Sequence, residues 1–297
     1  MKLLVAKFRP SRRIETHMEY TGPKEQTLSE HIFLDLLLAF LGILFAGGGT
    51  VILWIGVAIA IGAARISGRL IVKVVNTLID ARTVGMKEQG IGIRGLVQSA
   101  AFRGAVISSL ILITTSFLIN QSFLYLSCCA LLMIIAYPFV RRFTSTGNFF
   151  RSFLMGLIPA GGSLAVKDEL NSVPLILGFA TMMWFAGIDI IHISKNSTAT
   201  GQEGDSSFAT RMGEEKALII SLITYLFSLS AFIAAGIFVR MNIAYWVSLA
   251  CVALIFARQQ LLSRKEDYEA VSKEIMQINS YVVPVLFMGT VIDVFMR

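Results

Sequence analysis

Cysteine and charge are both scarce in this chain of 297 residues, and each shortage excludes a class of protein. The three cysteines, Cys128, Cys129 and Cys251, lie inside apolar runs without the spacing of metal ligands. This argues against a disulfide framework and against a zinc cluster. Only 15% of the residues are charged, against roughly 25% in soluble domains. The chain is therefore not an ordinary soluble protein.

Apolar sequence takes the place of the missing charge. Hydrophobic residues make up 55% of the chain, and the mean hydropathy is +0.72. Such values predict an all-α, polytopic membrane bundle, with the lipid bilayer as its surroundings. A net charge of +7 can indicate nucleic-acid binding, but no basic patch interleaved with aromatic residues accompanies it. We therefore expect no nucleic-acid partner, and a membrane explanation of the charge.

Nine apolar runs are candidates for transmembrane helices. Several have fewer strictly apolar residues than the roughly 20 that a bilayer core requires, so their polar flanks must extend the helices. The nine runs centre on Leu34–Ala46, Val51–Val75, Ala105–Ile119, Phe123–Val140, Phe149–Val166, Val173–Ile193, Ala217–Phe238, Ile243–Ala257 and Tyr281–Met296.

The positive residues test this count independently, because lysine and arginine collect in the cytoplasmic loops of membrane proteins. Twenty of the 26 fall before the first run or in alternate connections, and three fall on the opposite side. This distribution predicts a cytoplasmic N-terminal tail over residues 1–27 and an extracytoplasmic C-terminus. The opposite connections are short, so we expect the chemistry on the cytoplasmic face of a cytoplasmic (inner) membrane.

The second run carries a polar face into its cytoplasmic end. At about 100° per residue, Arg65, Arg69, Lys73, Asn76 and Asp80 fall within roughly an 80° arc of a helix. Ionisable groups in a membrane helix are costly unless they face a protein interior or a wet cavity. The face therefore predicts a functional site, and simple snorkelling of the arginines towards headgroups is the alternative.

The sixth run ends in a second polar face, formed by Asp189, His192 and Asn196. Their spacing of three and four residues puts them on one side of a helix. The two polar helix ends could line one cavity. Asp189 could instead serve only as a hydrogen-bonding group between helices, and His192 is expected to support packing. Near the end of the fourth run, Tyr137 and Arg141 mark a cytoplasmic interface.

With these residues in view, the chain resembles the UbiA family of intramembrane prenyltransferases, and most closely its 4-hydroxybenzoate and menaquinone-pathway branch. The resemblance implies a single domain over residues 28–297, with nine transmembrane helices around a central cavity. The matching stretches are Glu30–Phe33, Asn76–Asp80, Tyr137–Thr144, Trp184–Ile191 and Arg211–Leu218.

The resemblance also implies an activity and a set of site residues. The activity is Mg²⁺-dependent transfer of a polyprenyl group from a prenyl diphosphate to an aromatic acceptor in quinone biosynthesis. Mg²⁺ would neutralise the departing diphosphate. The implied metal ligands are Asn76, Asp80, Asp189 and Asn196, of which the two aspartates are also catalytic. The implied diphosphate ligands are Arg69 and Arg141, and the implied substrate contacts are Tyr137, Asn76 and Asn196. We add Lys73 and Lys195 as expected diphosphate ligands, because their charge could replace part of the positive charge of the metal.

The chain departs from the family pattern at three expected carboxylates. Val84, Asn196 and Thr200 stand where the family has aspartates, which should weaken binding of two magnesium ions. Two alternatives to a prenyltransferase therefore stay open. One is a non-catalytic relative that binds lipid, or that forms a homo- or hetero-oligomer with an active enzyme. The other is a transporter built around the charged helix.

Overall fold

The computed structural model describes residues 28–83, 99–143, 147–169, 171–200, 213–265 and 268–296. These residues form ten α-helices and, within the described ranges, no strand. The helices are α1 Leu28–Phe45, α2 Val51–Thr83, α3 Ala100–Ile119, α4 Gln121–Phe143, α5 Gly147–Lys167, α6 Ser172–Thr200, α7 Glu214–Val239, α8 Ile243–Leu262, α9 Tyr268–Asn279 and α10 Val282–Phe295. The predicted N-terminal tail, residues 1–27, lies outside the described residues.

The all-α membrane architecture predicted from composition is confirmed. Eight helical segments in the described chain are long and apolar enough to cross a membrane, and α9 and α10 together supply the last of them, Val271–Phe295. The shorter apolar segment Ile32–Phe45 in α1 corresponds to the first predicted run. Each of the nine predicted runs thus falls in a helical segment. The protein is an integral, multi-pass membrane protein.

Two helices extend further than the sequence prediction placed them. The corresponding apolar runs were centred on Val51–Val75 and Val173–Ile193, whereas α2 continues to Thr83 and α6 to Thr200. Neither glycine nor proline interrupts these ends until Gly85 and Gly201, so the backbone can stay helical after the apolar run ends. The polar faces of both helices are thereby carried on regular helix.

Helix α1 joins two packed groups of helices. On one side its buried residues contact a large apolar cluster from α6, α7, α8, α9 and α10, which includes Trp184 and Phe232. On the other side they contact a smaller cluster from α2, α3, α4 and α5, which includes Val57 and Phe123. Burial of these side chains fixes the positions of α1 and α5, which carry parts of the site described below.

A buried polar network ties the first of these groups together. The indole Nε1 of Trp184 donates to Oδ1 of Asn279 at 3.0 Å, and Nε2 of Gln259 donates to the same oxygen at 3.3 Å. The hydroxyl of Tyr225 donates to Oε1 of Gln259 at 2.9 Å. Polar groups buried in a membrane protein must satisfy one another. The network therefore fixes how α6, α7, α8 and α9 meet.

Replacing Asn279 by alanine is expected to destabilise the fold by about 1–3 kcal/mol, because Trp184 and Gln259 lose their shared acceptor. The matched control is Gln277→Ala, an exposed position of the same helix, which should change stability by less than about 0.5 kcal/mol. Thermal unfolding of the two purified variants in detergent measures the difference. Equal melting temperatures would show that the network contributes little.

Candidate functional site

A cavity of about 420 Å³ lies among α1, α2, α3, α4 and α5. Its wall is mostly apolar and includes side chains from four of the helices, among them Ile61, Leu112, Leu126, Ile134 and Leu154. Its ionisable and aromatic hydroxyl groups are Asp35, Arg65, Arg69, Tyr137 and Arg151. The cavity therefore combines an apolar chamber with three guanidinium groups.

Asp35 and Arg65 form an ion pair in the cavity wall. Nε of Arg65 lies 2.7 Å from Oδ2 of Asp35, and Nη2 donates to Oδ1 at 3.2 Å. This two-point contact holds the guanidinium in one orientation. The sequence prediction included Arg65 in the polar face of α2 but missed Asp35. An isolated carboxylate within the first apolar run was the available signal, because such residues in a membrane helix need a partner.

A second ion pair joins α5 to α6 at the edge of this cavity. Nη1 of Arg151 lies 3.2 Å from Oδ1 of Asp189, and the hydroxyl of Ser152 donates to Oδ2 at 3.3 Å. Asp189 is buried, with 7% of its side chain exposed, whereas 45% of the Arg151 side chain is exposed. Arg151 lies in the second turn of α5 and was not among the site residues predicted from the sequence.

The structure brings only some of the predicted site residues to the cavity. Arg69 and Tyr137 line it, and the ring of Tyr137 lies parallel to that of Phe150 with 6.5 Å between their centroids. Lys73 and Asn76 are exposed on α2, about one and two turns beyond Arg69, and do not belong to the lining.

The remaining predicted residues have described backbones only. The backbones of Asp80, Arg141, Lys195 and Asn196 lie in α2, α4 and α6, and their side chains are outside the described part of the structure. Their predicted roles stay predictions. Asp189 is the one predicted metal ligand with a described carboxylate.

The described side chains do not by themselves fit a magnesium site. Among them, no group of three His, Cys, Asp or Glu residues is close enough to hold a metal ion. The carboxylate of Asp189 is bound by Arg151 and Ser152. Mg²⁺ prefers several oxygen ligands in octahedral geometry, and this carboxylate is already engaged by a cation.

The charges around the cavity favour an anionic ligand. Arg65, Arg69 and Arg151 bring three positive charges, and Asp35 is the acidic residue of the lining. Guanidinium groups bind phosphate oxygens through charge-assisted hydrogen bonds, and the apolar wall suits a hydrocarbon chain. Fold and cavity together define a multi-pass membrane protein with a mostly apolar chamber that is lined by three arginines.

Comparison with known proteins shows to which family this membrane protein belongs. Residues 36–281 match the model of the UbiA prenyltransferase family. This match covers most of the chain, so the protein belongs to the UbiA prenyltransferase family. The family resemblance read from the sequence motifs is thereby confirmed, as is the prediction that the chain is a prenyltransferase.

Two of the similar proteins carry the name 4-hydroxybenzoate octaprenyltransferase. The one from Vesicomyosocius okutanii is 27% identical over 201 residues, covering 65% of this chain and 71% of the relative. The one from Pseudomonas putida is 28% identical over 197 residues, covering 63% of this chain and 64% of the relative. The chain thus aligns with less than two thirds of the second relative's length.

Solved structures show the same fold. The apo structure of a UbiA homologue from Aeropyrum pernix K1 superposes with a TM-score of 0.71 at 23% identity, covering 89% of this chain and 98% of the other. The structure of a digeranylgeranylglyceryl phosphate synthase gives a TM-score of 0.69 at 16% identity, covering 91% and 98%. These likenesses support the predicted arrangement of transmembrane helices around a cavity.

Proposed function

We propose that this protein transfers a polyprenyl group from a prenyl diphosphate to an aromatic acceptor, in the manner of a quinone-biosynthesis enzyme. The observation that carries the proposal is the combination of cationic side chains and a mostly apolar wall in one cavity. A prenyl diphosphate has the matching combination, a dense anion joined to a hydrocarbon chain. The names of the similar curated proteins support the aromatic acceptor.

In this reaction the arginines would stabilise the negative charge of the departing diphosphate. When the carbon–oxygen bond of the allylic diphosphate breaks, the diphosphate keeps the electron pair and gains negative charge. Arg69 and its neighbours on the cavity wall would stabilise that charge. The allylic carbon becomes cationic, and Tyr137, which lines the cavity, would supply an aromatic ring near it. The acceptor ring then attacks this carbon and loses a proton.

Magnesium enters the proposal through the family resemblance. The resemblance implies Asn76, Asp80, Asp189 and Asn196 as its ligands. Because Asp189 is paired with Arg151, the proposal keeps Asn76, Asp80 and Asn196, and an ion held by them would neutralise charge on the diphosphate. Lys73, Arg141 and Lys195 are further proposed diphosphate ligands near the same helix ends. The distribution of lysine and arginine along the sequence supports placing this site on the cytoplasmic side of an inner membrane.

The direct test is turnover. Purified protein is incubated with a long-chain prenyl diphosphate, Mg²⁺ and a panel of hydroxylated aromatic acceptors, and mass spectrometry monitors prenylated product while diphosphate release is assayed. The proposal predicts both. A folded protein that binds prenyl diphosphate without forming product across the panel would be a lipid-binding relative. Substrate flux into sealed vesicles without covalent change would indicate a transporter.

Substitution of Arg69 by glutamine is expected to weaken binding of the prenyl diphosphate tenfold to a hundredfold. Loss of a charge-assisted hydrogen bond costs about 1.5–3 kcal/mol, and each 1.4 kcal/mol is about a factor of ten. Lys273→Gln is the control, because this cation is exposed on α9 away from the cavity. Binding of a non-hydrolysable prenyl thiodiphosphate is measured for both variants. Equal affinities would remove Arg69 from the site.

A further inference from the structure

We propose that Arg151 supplies, as a fixed part of the chain, the positive charge that a metal ion would otherwise bring to Asp189, and that it binds the diphosphate directly. The inference rests on the proposed function, since it concerns how the same ligand is held. It assigns Arg151 as a diphosphate ligand and Asp189 as the residue that positions Arg151.

The contacts of Asp189 carry the first step. One carboxylate oxygen contacts the guanidinium of Arg151 at 3.2 Å, and the other accepts a hydrogen bond from Ser152 at 3.3 Å. Both oxygens of a buried carboxylate are thus engaged by residues of α5. A divalent cation on this carboxylate would lie beside the guanidinium of Arg151 or would displace it. Two positive groups at that separation repel each other.

The position of Arg151 carries the second step. Its side chain lines the cavity, and 45% of its surface stays exposed although it is paired with Asp189. A guanidinium has five N–H donors in a planar fork, a geometry that suits contact with a carboxylate on one side and phosphate oxygens on another. Asp189 therefore orients the guanidinium of Arg151 from the side of α6. The exposed part of Arg151 faces the chamber that the proposed ligand would occupy.

The positions of the neighbouring charges determine how Arg151 would contribute to binding of the diphosphate. Arg65 is held by Asp35 through two contacts, and Arg69 is exposed in the lining. Arg151 stands on a different helix from these two residues, which both belong to α2. A diphosphate between α2 and α5 would thus have cations on two sides. Arginine stays charged at all working pH values, so this arrangement needs no metal at Asp189 to remain positive.

Two consequences distinguish this arrangement from metal ligation by Asp189. The protein should bind the prenyl diphosphate measurably without a divalent ion, because three guanidinium groups of the lining are permanent. The dependence of binding on Mg²⁺ should also be insensitive to the carboxylate of Asp189. Loss of that carboxylate should affect only the positioning of Arg151.

The experiment measures the affinity of a non-hydrolysable prenyl thiodiphosphate in detergent, first with EDTA and then across a Mg²⁺ titration. Wild-type protein should bind in EDTA. Arg151→Leu should weaken that binding at least tenfold. Asp189→Asn should weaken it less than tenfold and leave the Mg²⁺ concentration at half-maximal effect within twofold of wild type. Arg151→Lys, which keeps the charge without the fork, should recover part of the loss.

Counting the bound metal ions gives a measurement that depends neither on turnover nor on a substitution of Arg151. Mn²⁺ replaces Mg²⁺, and electron paramagnetic resonance counts the ions bound to wild-type protein and to Asp189→Asn with the thiodiphosphate present. The inference expects equal counts. It is overturned if wild type binds nothing in EDTA, or if Asp189→Asn loses one ion or shifts the Mg²⁺ midpoint more than tenfold.

A second variant controls for misfolding of Arg151→Leu, because that substitution leaves the buried carboxylate of Asp189 without this cation. The double variant Arg151→Leu/Asp189→Asn removes both charges and should show the same loss of affinity in EDTA. Failure of the proposed function would appear separately, as binding without product in the turnover assay. Absence of thiodiphosphate binding under every condition would overturn the inference together with the proposed function.

Discussion

Replacing Gly162 by valine is expected to prevent stable packing of the bundle. A Cβ atom at this position would overlap the backbone carbonyl of Ala39 in α1. The relation is reciprocal, because a Cβ at Gly42 would overlap the carbonyl of Pro159 in α5. The two backbones are therefore in direct contact, as small residues permit between membrane helices. Neither carbonyl can turn aside as a flexible side chain could.

The expected cost exceeds the about 1–3 kcal/mol typical of one overpacked position, since α1 and α5 would have to separate. Both helices contribute to the wall of the cavity, so separation would also disturb the site. Thermal unfolding and size-exclusion chromatography in detergent measure the effect. Gly62→Val is the control, because a Cβ there meets no heavy atom within 4 Å. A Gly162→Val protein as stable as this control would contradict the predicted contact.

Replacing Asp35 by leucine is expected to destabilise the protein by about 2–4 kcal/mol. The substitution leaves the guanidinium of Arg65 without the carboxylate that contacts it at 2.7 Å and 3.2 Å. Removing one partner of a buried ion pair costs about 3–5 kcal/mol. We expect somewhat less here, because 27% of the Arg65 side chain is exposed in the cavity and water can solvate it.

A double-mutant cycle separates the pair from the rest of the site. Arg65→Leu combined with Asp35→Leu should recover most of the loss, because no unpaired charge remains. Glu274→Ala is the control, since it breaks the exposed ion pair with Arg258 at 2.9 Å, a contact worth less than about 1 kcal/mol. Melting temperatures give the coupling energy. Additive effects of the two leucine substitutions would show that the residues do not interact.

Much of the fold followed from the sequence because membrane insertion depends on local composition. In a membrane, each apolar run must form the hydrogen bonds of its backbone within the run itself, so a long enough run becomes a helix. The polar face of α2 was visible for the same reason, since a regular helix determines which residues share a side. The end of α6 was predicted less accurately, because the hydropathy falls at Lys195 while the helix continues to Thr200.

The site was predicted only in part. Arg69 and Tyr137 were selected from sequence and do line the cavity. Lys73 and Asn76 share the polar face but lie beyond the lining. A polar face shows which residues point one way, whereas the depth of a cavity depends on the neighbouring helices that close it. The roles of Asp80, Arg141, Lys195 and Asn196 stay predictions that the proposed experiments address.

The sequence by itself determined that this protein crosses the membrane many times, carries basic residues on one helix face and resembles a prenyltransferase family. Only the tertiary structure decided which charges meet. Asp35 pairs with Arg65 on the next helix, and Arg151 pairs with Asp189 across α5 and α6. Hydropathy and helical period are properties of neighbours along the chain, whereas an ion pair depends on which helices pack together. For that reason Asp189 was predicted as a metal ligand from its motif, and its arginine partner appeared only in the folded bundle.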